Sequence, residues 1–182
     1  MTRRLPWVIA AFAMSVGAAA CGQDAAPAAT STVSQSAPPP VALVPLGDLR
    51  ASVPELQGWT RGEMTAQEGT APDRSTHVVV TFTRGNEKLE LEIADTGGDE
   101  RAIESLEHLA GSDTSRTLDN GYFKGTTVAG FPAVESLNTV DKLGELSVLI
   151  RRRYIIHVAG SGLTDATPMR TLVEAVDTSR LR

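Results

Sequence analysis

The stretch STHVVVTFTRGNEKLELEIAD, residues 75–95, decides the fold. Val78, Val80 and Phe82 share one parity in its first half. Leu89, Leu91 and Ile93 share one parity in its second, with Lys88, Glu90 and Glu92 opposite. A period of two is the mark of a half-buried strand. Between the halves stand Gly85 and Asn86, suited to a two-residue type II′ turn because glycine tolerates a positive φ. Ser75 to Arg84 and Lys88 to Asp95 therefore form an antiparallel hairpin with one face packed and the other in water.

Downstream, Thr96, Gly97, Gly98 and Asp99 break the strand and cap a helix reaching Ala110. Ala102, Ile103, Leu106, Leu109 and Ala110 make its apolar stripe, and Gly111 ends it. After a polar loop, Ser112 to Asn120, strands are expected at Tyr122 to Val128, Phe131 to Thr139, Glu145 to Arg151 and Arg153 to Ala159. Leu146, Val148, Leu149, Ile150, Ile155, Ile156 and Val158 place apolar groups on both faces of the last two, which makes them the central strands. A final helix runs from Asp165 or Thr167 to Asp177, with Pro168 in its first turn. Upstream, Leu43, Leu46, Leu49, Val53 and Leu56 suggest a short helix capped by Asp48 and ended by Pro54. Thr60 to Thr65 reads as an edge strand, followed by a loop over Ala66 to Arg74. The short connections make neighbouring strands antiparallel. The expected fold class is α+β, an antiparallel sheet of about six to seven strands covered by helices, in a single domain over residues 41–182.

The N-terminus carries a different signal. Arg3 and Arg4 precede an uncharged run, Trp7 to Ala20, that stops at Cys21, the only cysteine. Fourteen residues make roughly 21 Å of helix, short of a hydrocarbon core of ~30 Å, so a secretory signal fits better than a retained transmembrane helix. Ala18, Ala19, Ala20 and Cys21 resemble the lipobox of bacterial lipoproteins. That resemblance implies acylation of Cys21 and removal of residues 1–20. It departs from the family at Ala18, where Leu or Val is usual. Ala18 and Ala20 also form the AxA pattern of ordinary signal cleavage at the same bond. A lone exported thiol otherwise lacks an explanation, which favours lipidation. Thr2, Arg3 and Arg4 also resemble a twin-arginine signal, with Pro6 and Trp7 as departures from it. Residues 21–40, rich in Ala and Pro with Asp24 the only charge, read as a disordered linker of roughly 24 Å root-mean-square span.

Composition narrows function. Without Arg3 and Arg4 the mature chain has 15 basic and 22 acidic residues, a net charge of −7, which disfavours nucleic acid. One cysteine excludes an intramolecular disulfide and a cysteine zinc cluster. Gly160, Ser161 and Gly162 begin a GxGxxG pattern, but Asp165 occupies the third glycine position, and the group reads as a loop and helix cap. His77, His108 and His157 have no metal-ligand spacing; Glu104 and His108 read as surface neighbours on one helix. Ser112 and Ser161 lack a GxSxG frame, and Glu90, Glu92 and Asp95, alternating with apolar residues, read as the solvated face of a strand. Trp59 reads as a residue at the edge of the core. No catalytic residue, cofactor or metal is expected.

The order of elements, with Gly58 and Trp59 leading into the first strand and Gly130, Phe131, Pro132 and Ala133 turning into another, resembles small bacterial lipoproteins whose domain is similar to the Mog1/PsbP-like fold. The resemblance implies an antiparallel sheet flanked by helices and no particular activity. Such hairpins usually place Gly or Asn where Arg151 and Arg152 stand. Arg151, Arg152 and Arg153 form the one dense cationic cluster, a candidate contact for lipid headgroups or an anionic partner, set against a solvated hairpin end. The expected protein is extracytoplasmic, held to the membrane through acylated Cys21, and acts by non-enzymatic binding or structural interaction with a partner in the envelope. The alternative is a small-molecule or ion-binding module with a pocket between the sheet and the helix Asp99 to Ala110.

Overall fold

The computed structural model describes residues 41–69, 74–111 and 115–182. The chain runs α1 (Leu46–Ser52), β1 (Thr60–Glu68), β2 (Thr76–Arg84), β3 (Glu87–Asp95), α2 (Glu100–Gly111), β4 (Arg116–Leu118), β5 (Gly121–Val128), β6 (Phe131–Asn138), β7 (Leu143–Ile150), β8 (Tyr154–Ser161), α3 (Thr167–Ala175) and a 3-10 turn at Thr178–Arg180. Cys21, the expected signal and the expected linker lie outside the described residues.

The hairpin of residues 75–95 forms as its alternation requires. Arg84 pairs with Glu87, leaving Gly85 and Asn86 as the two-residue turn, with φ +57° at Gly85. Around it the strands make one antiparallel sheet in the order β1-β2-β3-β8-β7-β6-β5-β4. β7 and β8 are the middle strands, as their two-sided apolar character requires. The sheet has eight strands rather than six to seven, because β4 lies inside the expected polar loop. Its three residues are all exposed and too few for an alternation to appear. β1 also continues to Glu68, past the expected end at Thr65.

The topology is two meanders joined at the centre. One runs inward from β1 to β3; the other starts at the far edge with β4 and returns to β8, which pairs with β3. The chain must therefore cross five strand spacings between β3 and β4, roughly 24 Å. α2, twelve residues long, covers roughly 18 Å of that path and lies on β5, β6 and β7.

Cross-strand registry fixes which side chains share a face. Val80, Leu91, Val158 and Leu146 form one row across four strands, all essentially without solvent exposure. Leu49 of α1 and Met169, Leu172 and Val173 of α3 belong to the same core. Each such side chain contributes about 1.5–3 kcal/mol by leaving water. On the opposite face Leu149, Val134 and Ile103 of α2 are buried. The β1 edge is bulged between Arg61 and Met64 and exposes Arg61, Glu63 and Glu68, which discourages pairing with another strand.

Two local expectations are corrected. Asp48 does not cap α1: the N-cap is Pro45, whose carbonyl accepts from Asp48 N and Leu49 N, and Asp48 lies in the first turn, where its charge suits the helix dipole. The strands flanking the arginines stop at Ile150 and resume at Tyr154. A tight turn closes there nevertheless, through Arg153 N to Ile150 O at 3.1 Å, with Arg151 and Arg152 at φ +52° and +53°. Neither is the glycine or asparagine that this backbone favours, and each left-handed residue costs about 1–2 kcal/mol. Asp99 does cap α2, accepting from Arg101 N at 3.0 Å.

The end of α2 sits directly on β5. A Cβ placed on Gly125 would come within 2.5 Å of the Ala110 carbonyl oxygen and 2.6 Å of that of Leu109. Gly125→Ala is expected to lower stability by about 1–3 kcal/mol through overpacking, read as a lower denaturant midpoint with an unchanged slope.

Candidate functional site

Asp95 extends the apolar parity of Leu89, Leu91 and Ile93 and is fully buried for that reason. Its charge is matched by Arg153, whose Nε donates to Oδ1 at 2.8 Å and whose Nη2 donates to Oδ2 at 2.6 Å. Backbone N–H groups of Val44 and Gly97 also donate to the carboxylate, at 2.7 and 3.0 Å. Arg153 Nη2 reaches Ala42 O as well, at 2.6 Å. The pair therefore grips the backbone on both sides of Leu43, the first part of the described chain. Burial alone would raise the Asp95 carboxyl. The hydrogen bonds from Arg153, Val44 and Gly97 outweigh it and hold the group below its ordinary range.

The three clustered arginines point to three different partners. Arg153 is held by Asp95. Arg152 pairs with Glu107 and Glu100 of α2 at 3.1 and 3.5 Å while remaining exposed. Arg151 Nη1 donates to the Leu181 carbonyl. Their shared location is the end of the sheet where residues 41–45 join it.

Asp95 is thereby corrected from the solvated strand face expected for it, since it lies on the parity opposite to Glu90 and Glu92, and a second buried carboxylate was not anticipated at all. Glu135 of β6 has the parity of Ala133 and Leu137 and is fully buried. Arg170 Nε of α3 donates to its Oε2 at 2.5 Å, Tyr122 Oη donates to Oε1 at 2.6 Å, and Lys124 Nζ lies 3.3 Å from Oε1. Lys124 also stands 4.7 Å from the centre of the Tyr122 ring. Burial would raise the Glu135 carboxyl, but the hydrogen bonds from Arg170 and Tyr122 and the adjacent cations hold it below the usual range. Burial, then the bond to Glu135, pushes the Tyr122 hydroxyl well above its usual range. A locked carboxylate beside a phenol that resists ionisation is suited to holding β5, β6 and α3 together. A proton shuttle needs the opposite shifts.

On the other face, Glu92, His157 and Ser147 align in one row across β3, β8 and β7. Ser147 Oγ lies 2.9 Å from His157 Nδ1. The row stands on strands whose backbone N–H groups are engaged in the ladder, so it has no local oxyanion donors. His77 shares this face but sits on β2, with β3 between it and His157. Glu104 and His108 are both exposed on α2. No group of three potential metal ligands occurs among the described residues. The glycine-rich loop is explained by packing: a Cβ on Gly162 would fall 2.4 Å from Asn86 O, and Asp165 Oδ1 accepts from Thr167 N at 2.8 Å at the start of α3.

Two clefts flank residues 41–45. One, of about 510 Å³, is lined by Val44, Pro45, Asp48, Arg153, Arg180 and Arg182, among others. The other, of about 540 Å³, lies beside α2 and not beneath it, between His77, Glu92 and Ala94 of the sheet and the Gly97–Asp99 loop. No protein-family model matches the chain, and neither the curated proteins nor the solved structures compared with it gave a match.

Removing one partner of a buried pair isolates the other, and the two sides are unequal. Arg153→Met leaves a fully buried carboxylate and is expected to cost about 3–5 kcal/mol in denaturant melts. Asp95→Asn leaves an arginine at the protein surface, 22% exposed, and should cost less; equal losses would refute the asymmetry. Both carboxyls are lowered by folding, so their stabilisation is full above about pH 4 and disappears as pH falls through the folded values. Glu135→Gln should accordingly flatten the acid limb of stability against pH, measured by urea midpoints from about pH 6 down to about pH 2.

Proposed function

We propose that this is an extracytoplasmic lipoprotein, held at the membrane through acylated Cys21, whose domain acts by binding or structural interaction in the cell envelope and not by catalysis. The observation that carries the reading is the uncharged run Trp7 to Ala20 ending at the only cysteine. The domain's own construction supports it. The backbone of Ala42 and Val44, just after the proposed linker, is bonded to the Asp95–Arg153 pair, an arrangement that transmits a pull on the tether into the central sheet. The non-catalytic part is supported by the buried carboxylates, each locked by arginine and lowered, the reverse of a poised acid.

Cys21→Ser is expected to abolish labelled palmitate incorporation and move the protein to the soluble fraction. Unchanged membrane retention would overturn the anchoring. A second reading, binding of a small molecule or ion, is favoured by the cleft between the sheet and the Gly97–Asp99 loop. It predicts that a specific ligand among metals, haem, lipids or cell-wall fragments raises the melting temperature, and that His77→Ala removes the rise.

A further inference from the structure

We infer that the arginine-lined cleft beside residues 42–45 docks on the phosphate groups of membrane lipid headgroups. The inference rests on the anchoring reading and adds to it which end of the domain faces the bilayer and what chemistry holds it there. Five of the fifteen basic residues of the mature chain, Arg151, Arg152, Arg153, Arg180 and Arg182, gather around the strand end where residues 41–45 join the sheet. Three of the five are paired with carboxylates, Arg153 with Asp95, Arg152 with Glu100 and Glu107, and Arg180 with Asp177.

Three of the five line the cleft, together with Asp48 and Asp177. In each, the Nε edge is fixed from within. Arg153 Nε bonds Asp95 at 2.8 Å, Arg180 Nε bonds Asp177 Oδ2 at 3.0 Å, and Arg182 Nε bonds Ser179 O at 2.9 Å. Among the described residues, the terminal nitrogens of Arg180 and Arg182 donate to no acceptor. A guanidinium held by one edge with its planar donors directed outward matches the geometry of a phosphate oxygen pair. Arg153 is largely neutralised by Asp95 and Arg180 is paired with Asp177 through its Nε edge, so the contact falls to Arg182 and to the outward donors of Arg180.

Two such guanidinium edges, one of them on an arginine already paired with Asp177, are too few to recruit a soluble acidic protein to a membrane. They suffice for one already held within a tether's reach, where the effective headgroup concentration is high. The cleft is lined by residues 42–45, the described segment that follows the proposed tether.

The test uses the mature chain from residue 21 with Cys21→Ser, which removes the anchor, sedimented at low salt with phosphatidylcholine vesicles with and without phosphatidylglycerol. Partition onto anionic vesicles should exceed that onto neutral ones and fall roughly fivefold for each of Arg180→Gln and Arg182→Gln. It should fade with added salt. Arg61→Gln, at the opposite end of the sheet, should leave it unchanged. Both cleft arginines are exposed, so wild-type melting temperatures in the variants will establish that the fold is intact. Equal partition onto neutral and anionic vesicles overturns the proposal, as does an equal loss on Arg61→Gln, which would reduce the effect to net charge. Saturable binding of soluble glycerol phosphate without vesicle binding would assign the cleft to a free phosphate and overturn headgroup docking. The Cys21→Ser variant carries no thiol, so a failure here leaves the palmitate result at Cys21 standing, and the converse also holds.

Discussion

The pairing of β3 with β8 is the interaction on which the rest of this structure depends. Each meander by itself has half a core and an open edge. Only when Leu91 meets Val158 and Ile93 meets Ile156 does one apolar face become continuous from β2 to β7. That face is what α1 and α3 cover, so both helices are placed by a contact between residues more than sixty positions apart in the chain. Closing so long a loop carries an entropic cost that the ladder and the core must outweigh together. α2 serves the same end, because the chain leaves the sheet centre at Asp95 and must begin again at the far edge.

The β3–β8 ladder ends in Asp95 opposite Tyr154, and there the charge chemistry of the domain concentrates. Arg153, one residue before Tyr154, turns back onto Asp95 and at the same time holds Ala42. The strand pairing, the arginine turn and the attachment of the N-terminal segment are thus parts of one arrangement. The Glu135 cluster is its counterpart on the other meander, tying α3 to β5 and β6. In both, an ionised carboxylate sits on the core parity and is tolerated because its oxygens are fully engaged. Buried pairs of this kind add little net stability over apolar replacements, but they penalise any other registry severely, since a one-residue slip would strand the charge.

The same arrangement bears on function. On the proposed reading, a domain tethered at its N-terminus would be loaded near residues 42–45, whose backbone is bonded to the Asp95–Arg153 pair. Load transfer and headgroup contact would then both fall at one end of the sheet. The half of the face bearing Val79, Glu92 and His157 is left uncovered by α2, which lies on β5 to β7, and it stands to the side of that attachment.

By itself, the sequence determined the hairpin of residues 75–95, the helix after Asp99, the central place of β7 and β8 and the α+β class, because period-two and helical patterns are local properties of the chain. It also supplied Cys21 and the uncharged run before it, which lie outside the described residues. Tertiary structure alone decided the rest. β4 has three residues and exists only because β5 offers it a partner. The parity of Asp95 and Glu135 with their apolar neighbours was legible, yet the arginines that permit their burial lie 58 and 35 residues away. The arginine cluster read as one patch in the sequence and separated into three partnerships in space, because a turn with two left-handed residues directs successive side chains apart. Nor could the chain order show that Arg180 and Arg182 return to the strand end beside residues 42–45; that placement depends on α3 crossing the sheet before the final turn.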